Sequence, residues 1–448
     1  MKWRARGLCL AILTAGVHLY ALRPRIETLQ VPYARIQAAG PGAPDGSISG
    51  GLGPAAGETS AQDSDGQGPD VAPAAATAEP SAKELTPSAA AIGTGLFYVI
   101  PGGAGTASFR DHADRIGVIA PQCFSLDRWG RLRGSLPDDL LAIARDHRVQ
   151  IMPLVINSGF SRYNAEHLLR NAGARDRAVG ALVEQGRALG LAGWQIDFEN
   201  LPSFERAALT RFVAEAAGAL HRHGMQLSVA VAARTSDDPH NESFRTFSGV
   251  YDYAALARSA DFLSVMAYPE SDAHHPGPLA SYPWVEQVVR HVLLQVPADK
   301  ISLGLPTYQS DWVERRVRIS IRRRIEGKIR RVFRYIYRLF HHNGPVTVDS
   351  DNLKWDPVLK ASYRIEGRGH SRHITWVEDE RSFAAKLQLV VRYHLRGYSV
   401  WRIGLEDPHI WAELPLTGVE QAAAASAPLI SVPRLSDHSL TPAESHQP

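Results

Sequence analysis

The sequence has very few cysteines and lacks aromatic residues over one long stretch near its N-terminus. The only two cysteines among the 448 residues are Cys9 and Cys123, so a disulfide scaffold and a cysteine-based zinc site are excluded. Residues 34–96 contain no Phe, Trp or Tyr and consist mostly of Ala, Gly, Pro, Ser and acidic residues. Such a composition cannot bury enough apolar surface to offset the entropy of ordering. We therefore predict a disordered linker over residues 34–93 and, on a similar composition, a disordered tail over residues 415–448.

Two nucleotide-binding signatures are also absent from the sequence. No G-x-G-x-x-G follows the first predicted strand, and no P-loop occurs anywhere. The content of apolar residues is 44% and that of charged residues is 21%, which is typical of a globular protein with a sizeable core. A fibrous protein, a wholly disordered chain and a multi-span membrane protein are excluded.

The N-terminus has the pattern of an export signal. Lys2, Arg4 and Arg6 precede a mostly apolar segment over residues 7–22. As a helix this segment would span about 24 Å, less than the ~30 Å hydrocarbon core of a bilayer. Residues 1–33 are therefore expected to be a short signal-anchor or a cleaved signal peptide, with a buried N-terminal helix as the alternative. A signal-anchor predicts a bacterial inner-membrane protein facing the periplasm. A cleaved signal peptide predicts a periplasmic or secreted protein.

Eight short β-rich runs alternate with longer helical runs between residues 94 and 414. Such alternation indicates parallel β/α architecture. Eight strands in a segment of this length predict an α/β fold, a single (β/α)8 TIM barrel with an insertion, and a doubly wound open sheet is the alternative. The predicted strands are Gly95–Ile100, Arg115–Pro121, Val149–Val155, Trp194–Glu199, Gln226–Ala232, Asp261–Tyr268, Ile301–Pro306 and Tyr398–Gly404.

A small α+β insertion is predicted over about residues 310–379, between the seventh and eighth barrel strands. Residues 314–340 within it contain eleven Lys or Arg against two Glu, a net charge of +9. The segment is either a solvated basic face or a contact surface for an anionic polymer or anionic lipid head groups. Nucleic acid is not expected as a partner of an exported protein. The apolar spacing predicts a strand through Val317, Ile319 and Ile321, then a helix through Ile329, Val332, Phe333, Ile336 and Phe340.

Polar and aromatic residues collect at the predicted carboxyl ends of the barrel strands, where active sites of such barrels lie. Period-two alternation places Gln195, Asp197 and Glu199 on the interior side of the fourth strand. A buried pair of carboxyl groups raises the pKa of one member, which can then act as an acid. Tyr268 ends the sixth strand, and Trp401 on the eighth strand offers a flat face that suits a sugar ring. Each residue alone is as well explained by packing, so the hypothesis depends on their occurring together.

The end of the fourth strand resembles the signature of glycoside hydrolase family 18, the chitinase-like barrels. The family pattern is D-G-x-D-x-D-x-E, and this chain has Ala-Gly-Trp-Gln-Ile-Asp-Phe-Glu. Gly193, Asp197 and Glu199 match, whereas Ala192 and Gln195 stand where the family has aspartate. The run Ile-Asp-Phe-Glu-Asn is similar to the bacterial branch that contains spore-cortex and germination-type N-acetylglucosaminidases.

Four further segments carry the resemblance along nearly the whole predicted barrel. Residues 265–268 are similar to the family's M-x-Y-D, with Pro269 in the place of the aspartate. Residues 300–308 are similar to its K-(I/V)-x-L-G-(L/I)-P-x-Y segment. Residues 375–382 and 397–404 resemble the approach to the last helix and the eighth strand.

The resemblance implies a retaining glycosidase that uses no protein nucleophile. Glu199 would be the general acid, Asp197 would orient the substrate's 2-acetamido group, and Tyr268 would hydrogen-bond to that group. No metal and no cofactor are needed. Substrate-binding roles are expected for Trp401, as the floor of the sugar subsite, and for Tyr308, Trp312, Gln195 and Met266.

Three functions remain open on the sequence alone. The first is an exported or membrane-tethered enzyme that cleaves β-linked N-acetylglucosamine in peptidoglycan, a chitin-like glycan or an exopolysaccharide. The second is a non-catalytic, chitinase-like glycan-binding protein of the cell envelope, against which the presence of both Asp197 and Glu199 argues. The third takes the arginine-rich insertion as the main functional feature, anchoring the chain to a membrane or a partner.

Overall fold

The structure is a computed structural model that describes residues 93–325, 328–347, 352–368 and 371–416. The strands in these ranges are β1 (Thr94–Val99), β2 (Val118–Leu126), β3 (Leu132–Gly134), β4 (Gln150–Ile151), β5 (Leu154–Asn157), β6 (Gly193–Asp197), β7 (Gln226–Ala232), β8 (Phe262–Met266), β9 (Ile301–Pro306), β10 (Gln309–Ile325), β11 (Lys328–Gly344), β12 (Lys354–Asp356), β13 (Ala361–Arg368), β14 (Ser371–Val377) and β15 (Gly397–Trp401). The α-helices are α1 (Gly103–Asp111), α2 (Asp138–Asp146), α3 (Arg162–Arg170), α4 (Ala172–Leu189), α5 (Arg206–His221), α6 (Glu242–Thr246), α7 (Tyr253–Ser259), α8 (Tyr282–Leu293) and α9 (Glu380–Arg392).

Eight parallel strands close into a barrel. The strand order is β1-β15-β9-β8-β7-β6-β5-β2, and β2 also pairs with β1, so the cycle is complete. Leu96 of β1 lies opposite Ser399 of β15 on one side and Val118 of β2 on the other. The predicted (β/α)8 barrel is therefore confirmed.

Alternation along the strands separates an outer apolar layer from a mixed interior. Trp194, Ile196 and Phe198 belong to the large core between the strands and the surrounding helices. The interior contains a smaller apolar cluster and buried hydroxyl groups. Tyr98 Oη and Ser264 Oγ are 2.8 Å apart, and β1 and β8 are not neighbours in the sheet, so this hydrogen bond crosses the interior. The barrel is thus a packed core whose polar layer lies beneath the carboxyl ends of its strands.

The insertion between β9 and β15 is an antiparallel sheet with the order β11-β10-β14-β13-β12. Its described residues form no helix, which corrects the α+β expectation. β10 and β11 pair along their full lengths, from Gln309 opposite Gly344 to Ile325 opposite Lys328. The helix predicted from the apolar spacing between residues 329 and 340 is therefore wrong, because these residues form a strand.

The remaining boundaries differ from prediction by a few residues. The second barrel strand begins at Val118 rather than Arg115, because Ala113–Arg115 forms a short 3-10 turn. The strand continues past Pro121 to Leu126 through an irregularity in its pairing with β5. None of the helices in the described residues has the length and hydropathy to cross a bilayer. The predicted signal segment and linker, and nearly all of the predicted tail, lie outside those residues.

Candidate active site

Strand β6 places two carboxyl groups at the mouth of the barrel. Because Trp194, Ile196 and Phe198 face the outer helices, the alternate residues Asp197 and Glu199 face inward. Asp197 ends the strand and is 4% exposed, and Glu199 lies just beyond it and is partly exposed. The pair therefore lies where the interior opens to solvent.

The backbone of Glu199 is held by a side chain from the neighbouring strand. Asn157 ends β5, is fully buried, and accepts a hydrogen bond from the Glu199 N–H at 3.0 Å through Oδ1. Its Nδ2 donates to the Glu199 carbonyl at 3.1 Å and to the Ser161 carbonyl at 3.2 Å. The amide of Asn157 thus fixes the position from which the Glu199 carboxyl reaches the mouth.

Burial raises the pKa values of both carboxyl groups. Loss of solvation raises the pKa of Glu199 to about 7. Loss of solvation and then the negative charge of Glu199 raise the pKa of Asp197 well above its ordinary value. Among the described residues, Oδ1 of Asp197 has no hydrogen-bond partner. The site therefore holds an exchangeable proton near neutral pH and a buried carboxyl oxygen whose hydrogen-bonding capacity is unused within the described residues.

Tyr98, Tyr251 and Tyr268 lie close enough to these carboxyl groups to interact with them electrostatically. Burial raises the pKa of Tyr268 well above its ordinary value, and the charges of Tyr98, Tyr308, Asp197 and Glu199 add to the effect. The phenol of Tyr268 therefore stays protonated and can donate a hydrogen bond into the mouth. Tyr98 is buried too, and both burial and the charge of Asp197 raise its pKa.

Trp401 forms a partly exposed wall of the same interior. Its ring centroid lies 5.4 Å from that of Tyr98, with the ring planes tilted by 59°. Its backbone pairs with Pro306 at the end of β9, and its carbonyl accepts a hydrogen bond from Thr307 at 2.8 Å. Met266 ends β8 at this mouth and is half-buried.

Two of the predicted substrate contacts, Gln195 and Tyr308, are buried instead. Gln195 is fully buried, and its Nε2 donates to Ser228 Oγ at 3.0 Å. Its Oε1 has no hydrogen-bond partner among the described residues. Gln195 therefore belongs to the polar layer beneath Asp197. Tyr308 is 7% exposed, and burial followed by the charge of Glu378 raises the pKa of its phenol.

The structure places Trp312 in the insertion rather than in the site. Its side chain is fully buried and packs with Trp376 and Ala361. Its Nε1 donates to the carbonyl of Asp272 at 3.1 Å, in the loop that follows β8. The expectation that Trp312 contacts a substrate is thus corrected, because no face of its ring is open.

The sequence prediction missed three residues that shape the site. Asn157 ends β5, the neighbour of β6, and Tyr98 lies on β1, from which it reaches Ser264 across the interior. The third residue, Tyr251, donates a hydrogen bond from Oη to the Phe198 carbonyl at 2.9 Å. A signal existed for Asn157, because it is a polar residue at the carboxyl end of a barrel strand. Within the part of the chain that the structure describes, no group of three or more His, Cys, Asp or Glu side chains could hold a metal ion.

The arrangement can transfer a proton and stabilise a nearby charge. Burial raises the pKa of one carboxyl group to about 7, a second carboxyl group lies beside it, and the phenol of Tyr268 is close enough to interact electrostatically with both. These are the parts of a general acid with an adjacent electrostatic stabiliser.

Comparisons with known proteins agree with this geometry. The family model described as "Glycosyl hydrolases family 18" matches residues 118–406. A "Cortical fragment-lytic enzyme" of Bacillus subtilis is 28% identical over 310 residues, which cover 67% of this chain and 68% of that enzyme. An "Uncharacterized glycosylase YvbX" of the same organism is 25% identical over 330 residues, covering 72% of this chain and 91% of that protein.

Solved structures show the same fold. A chitinase from Chromobacterium violaceum superposes with a TM-score of 0.60 at 25% identity, covering 74% of this chain and 99% of that one. The spore cortex-lytic enzyme SleL of Bacillus megaterium superposes with a TM-score of 0.59 at 22% identity, covering 72% of this chain and 75% of that one.

Proposed function

The chain belongs to the glycosyl hydrolases of family 18 and is a glycosidase, and we propose that it cleaves β-linked N-acetylglucosamine glycans with retention of configuration, using the substrate's own acetamido group. The observation that carries this proposal is the placement of Asp197 and Glu199 on the interior side at the end of β6, within electrostatic reach of Tyr268. Family members of this kind form no covalent bond to a protein carboxylate.

Glu199 is the general acid in the proposed first step. A carboxyl group with a pKa of about 7 is protonated in a large fraction of molecules at neutral pH. Its proton passes to the glycosidic oxygen as the bond to the anomeric carbon breaks. The acetamido oxygen of the same sugar attacks that carbon and forms an oxazolinium ion, so the leaving sugar departs as a neutral alcohol.

Asp197 and Tyr268 stabilise the acetamido group during this step. The unpaired Oδ1 of Asp197 can accept the acetamido N–H, which orients the carbonyl oxygen for attack and offsets the developing positive charge. The phenol of Tyr268 can donate to the acetamido oxygen and hold it in place. In the second step the Glu199 carboxylate takes a proton from water as the water oxygen attacks the anomeric carbon from the side opposite the acetamido oxygen. The bond between that carbon and the acetamido oxygen breaks, which reopens the acetamido group and restores the original configuration.

The proposed substrate is a polysaccharide that contains N-acetylglucosamine. The half-buried face of Trp401 offers a flat apolar surface for a sugar ring at the mouth. Three relatives named "Cortical fragment-lytic enzyme" support a peptidoglycan-type polymer, and the chitinase neighbour supports a chitin-like one. Peptidoglycan, a chitin-like glycan and an exopolysaccharide all contain the required acetamido group.

The location of the enzyme is part of the proposal. Residues 1–33 would place it in a bacterial cell envelope, as an inner-membrane anchored protein facing the periplasm or as a periplasmic or secreted one. The arginine-rich insertion would contact an anionic polymer or anionic lipid there.

Hydrolysis by the full chain tests the proposal. Substrates are N-acetylglucosamine oligomers and purified peptidoglycan, each alongside its de-N-acetylated form, with Glu199→Gln as the control. We expect cleavage of the acetylated forms alone, and loss of cleavage by at least about 100-fold in the variant. Binding of these glycans without any turnover would instead favour a non-catalytic glycan-binding protein. Turnover that survives Glu199→Gln would contradict the assignment of the acid.

A further inference from the structure

The outer part of the β10–β11 hairpin stands apart from the rest of the fold. We call the paired residues 314–325 and 328–339 the ribbon. β10 pairs with β14 only from Gln309 to Val313, and beyond Val313 its sole partner in the described sheet is β11. Twelve residue pairs at about 3.3 Å each give the ribbon a length of roughly 40 Å. A two-stranded ribbon of this kind is marginally stable in water by itself, so a partner surface would stabilise it.

The charges of the ribbon favour an anionic partner. Eleven Lys or Arg and two Glu lie between residues 314 and 340. The strand register sets arginine directly opposite arginine at three places, Arg315 with Arg338, Arg322 with Arg331, and Arg323 with Arg330. Like charges directly opposite one another weaken an antiparallel pair. Anionic groups bound along the ribbon would relieve this repulsion.

One face of the ribbon carries an aliphatic strip between the Arg315–Arg338 and Arg323–Arg330 pairs, interrupted on β11 by Arg334. Val317 lies opposite Ile336, and Ile321 lies opposite Val332. All four side chains are half-buried, although no other strand or helix covers this part of the hairpin in the described sheet. The strip therefore offers apolar surface bounded at both ends by arginines.

The opposite face presents aromatic rings together with guanidinium groups. Phe333 is 52% exposed and Tyr335 is 56% exposed. The guanidinium carbon of Arg318 lies 4.6 Å from the Phe333 ring centroid, and that of Arg316 lies 4.0 Å from the Tyr335 ring centroid. Exposed apolar side chains grouped on one surface mark an interaction site.

Arginines together with exposed aromatic rings favour a lipid surface over a soluble polyanion as the partner of the ribbon. A simple polyanion such as inorganic polyphosphate is recognised through its charge and gains nothing from the exposed rings of Phe333 and Tyr335. At a bilayer, aromatic rings sit at the level of the head groups, and arginines bury their stems while keeping their charges at the phosphates. We propose that the ribbon binds the surface of a bilayer that contains anionic lipids.

The root of the ribbon ties this surface to the active site. β10 begins three residues after β9 ends, at the same end of the barrel as Glu199. Trp312 at the root donates to the carbonyl of Asp272 in the loop after β8, which fastens the sheet to the rim. Lipid binding by the ribbon would therefore hold the mouth near the membrane, where it would meet glycan close to the bilayer. This consequence rests on the proposed function, whereas lipid binding itself does not.

The test uses the full chain and three variants. Arg322→Gln/Arg323→Gln/Arg324→Gln removes charge from the ribbon, and Phe333→Ser/Tyr335→Ser removes its exposed rings. The matched control, Arg145→Gln/Arg187→Gln/Arg222→Gln, removes three exposed arginines from the outer helices and the turn after α5. Binding is measured by flotation with vesicles of phosphatidylcholine alone and of phosphatidylcholine mixed equally with phosphatidylglycerol. Inorganic polyphosphate serves as the soluble polyanion, and hydrogen exchange of residues 314–340 locates the contact.

If the ribbon binds lipid, its backbone hydrogen exchange should slow when anionic vesicles are added. The exchange should stay unchanged when vesicles of phosphatidylcholine alone are added. The arginine variant should bind the anionic vesicles roughly 100-fold more weakly, and the control should bind like the unaltered chain. The serine variant should bind the anionic vesicles at least about fivefold more weakly than the unaltered chain and should keep its affinity for polyphosphate.

Two results would overturn the inference. If the chain binds vesicles while exchange in the ribbon stays unchanged, another segment carries the contact. If the serine variant binds both partners as the unaltered chain does, the ribbon recognises a polyanion rather than a bilayer. Hydrolysis of soluble N-acetylglucosamine oligomers is measured in parallel, so a failure of the proposed catalysis is seen separately from a failure of lipid binding.

Discussion

The side chain of Asn157 makes two hydrogen bonds to the backbone of Glu199, accepting from its N–H at 3.0 Å and donating to its carbonyl at 3.1 Å. The two residues are 42 positions apart in the chain, and the contact joins the ends of the neighbouring strands β5 and β6. The candidate acid is therefore positioned through its backbone by an uncharged residue that takes no part in proton transfer.

Asn157→Ala should lower kcat by about 10- to 100-fold with little change in KM. Small displacements of a catalytic group cost rate even when substrate binding persists. The variant should also unfold more easily, by about 1–3 kcal/mol, because buried backbone groups lose their partners. Steady-state kinetics and urea unfolding check both expectations. Asn164→Ala is the control, since the side chain of Asn164 donates to the Ser158 carbonyl in the neighbouring loop. An equal loss of kcat in both variants would contradict a specific role for Asn157.

The activity should fall with rising pH as Glu199 loses its proton. Because burial raises the pKa of Glu199 to about 7, kcat/KM should decline through one ionisation centred near pH 7. A pH profile on a soluble N-acetylglucosamine oligomer measures this directly. A profile that stays flat from pH 6 to 9 would mean that another group supplies the proton.

The same ionisation should make the fold less stable at higher pH. The folded-state pKa of Glu199 lies above its ordinary value, so between these two values the folded chain binds more protons than the unfolded chain. The free energy of unfolding therefore decreases as the pH rises through this interval. Asp197 shifts in the same direction and adds to the effect. Glu199→Gln should flatten the dependence of stability on pH between about 5 and 8, as measured by denaturant unfolding; an unchanged slope would contradict the buried setting of Glu199.

Gln195→Asp should move the alkaline fall in activity to higher pH. A carboxylate in place of the buried amide would add negative charge beneath Asp197 and raise the pKa values of both neighbouring carboxyl groups. Gln195→Asn shortens the side chain without adding charge and serves as the matched control. Equal pH profiles for the two variants would show that a negative charge at position 195 does not change the pKa of Glu199.

The two tryptophans named in the sequence analysis should behave differently. Trp401→Leu should raise KM by about tenfold and leave stability nearly unchanged, because its ring is partly open at the mouth. Trp312→Leu should lower the free energy of unfolding by about 3 kcal/mol and leave KM unchanged, because its ring is fully buried in the insertion. Kinetics and thermal unfolding of both variants provide the check, and a raised KM for Trp312→Leu would restore it as a substrate contact.

The sequence predicted the barrel and the two carboxyl groups because both follow local periodicity. Alternation along β6 is enforced by burial of one side against helices, and this puts Asp197 and Glu199 on the other side. The partners of these groups could not be deduced in the same way. Asn157 and Tyr98 reach the site through closure of the barrel, which no local pattern specifies.

The strand predicted through Val317, Ile319 and Ile321 is confirmed as part of β10, but the second strand of the ribbon was mispredicted for a related reason. Because both of its faces reach solvent, neither face requires strict alternation of apolar and polar residues. The apolar residues from Ile329 to Phe340 could therefore also fit the spacing of a helix, although pairing with β10 makes them a strand. Trp312 was assigned to the site from its position after β9, and only the register of the insertion shows that its ring is buried.

The central claim is that the substrate's acetamido oxygen, rather than a protein carboxylate, attacks the anomeric carbon. The most direct measurement compares kcat/KM for a series of aryl N-acetylglucosaminides in which the acetyl group carries none, one, two or three fluorine atoms. Fluorine withdraws electrons from the acetamido oxygen and weakens it as a nucleophile. The account predicts a rate that falls steeply with each added fluorine and a product that keeps the β configuration. A rate that stays nearly constant across the series, or a product of inverted configuration, would contradict it.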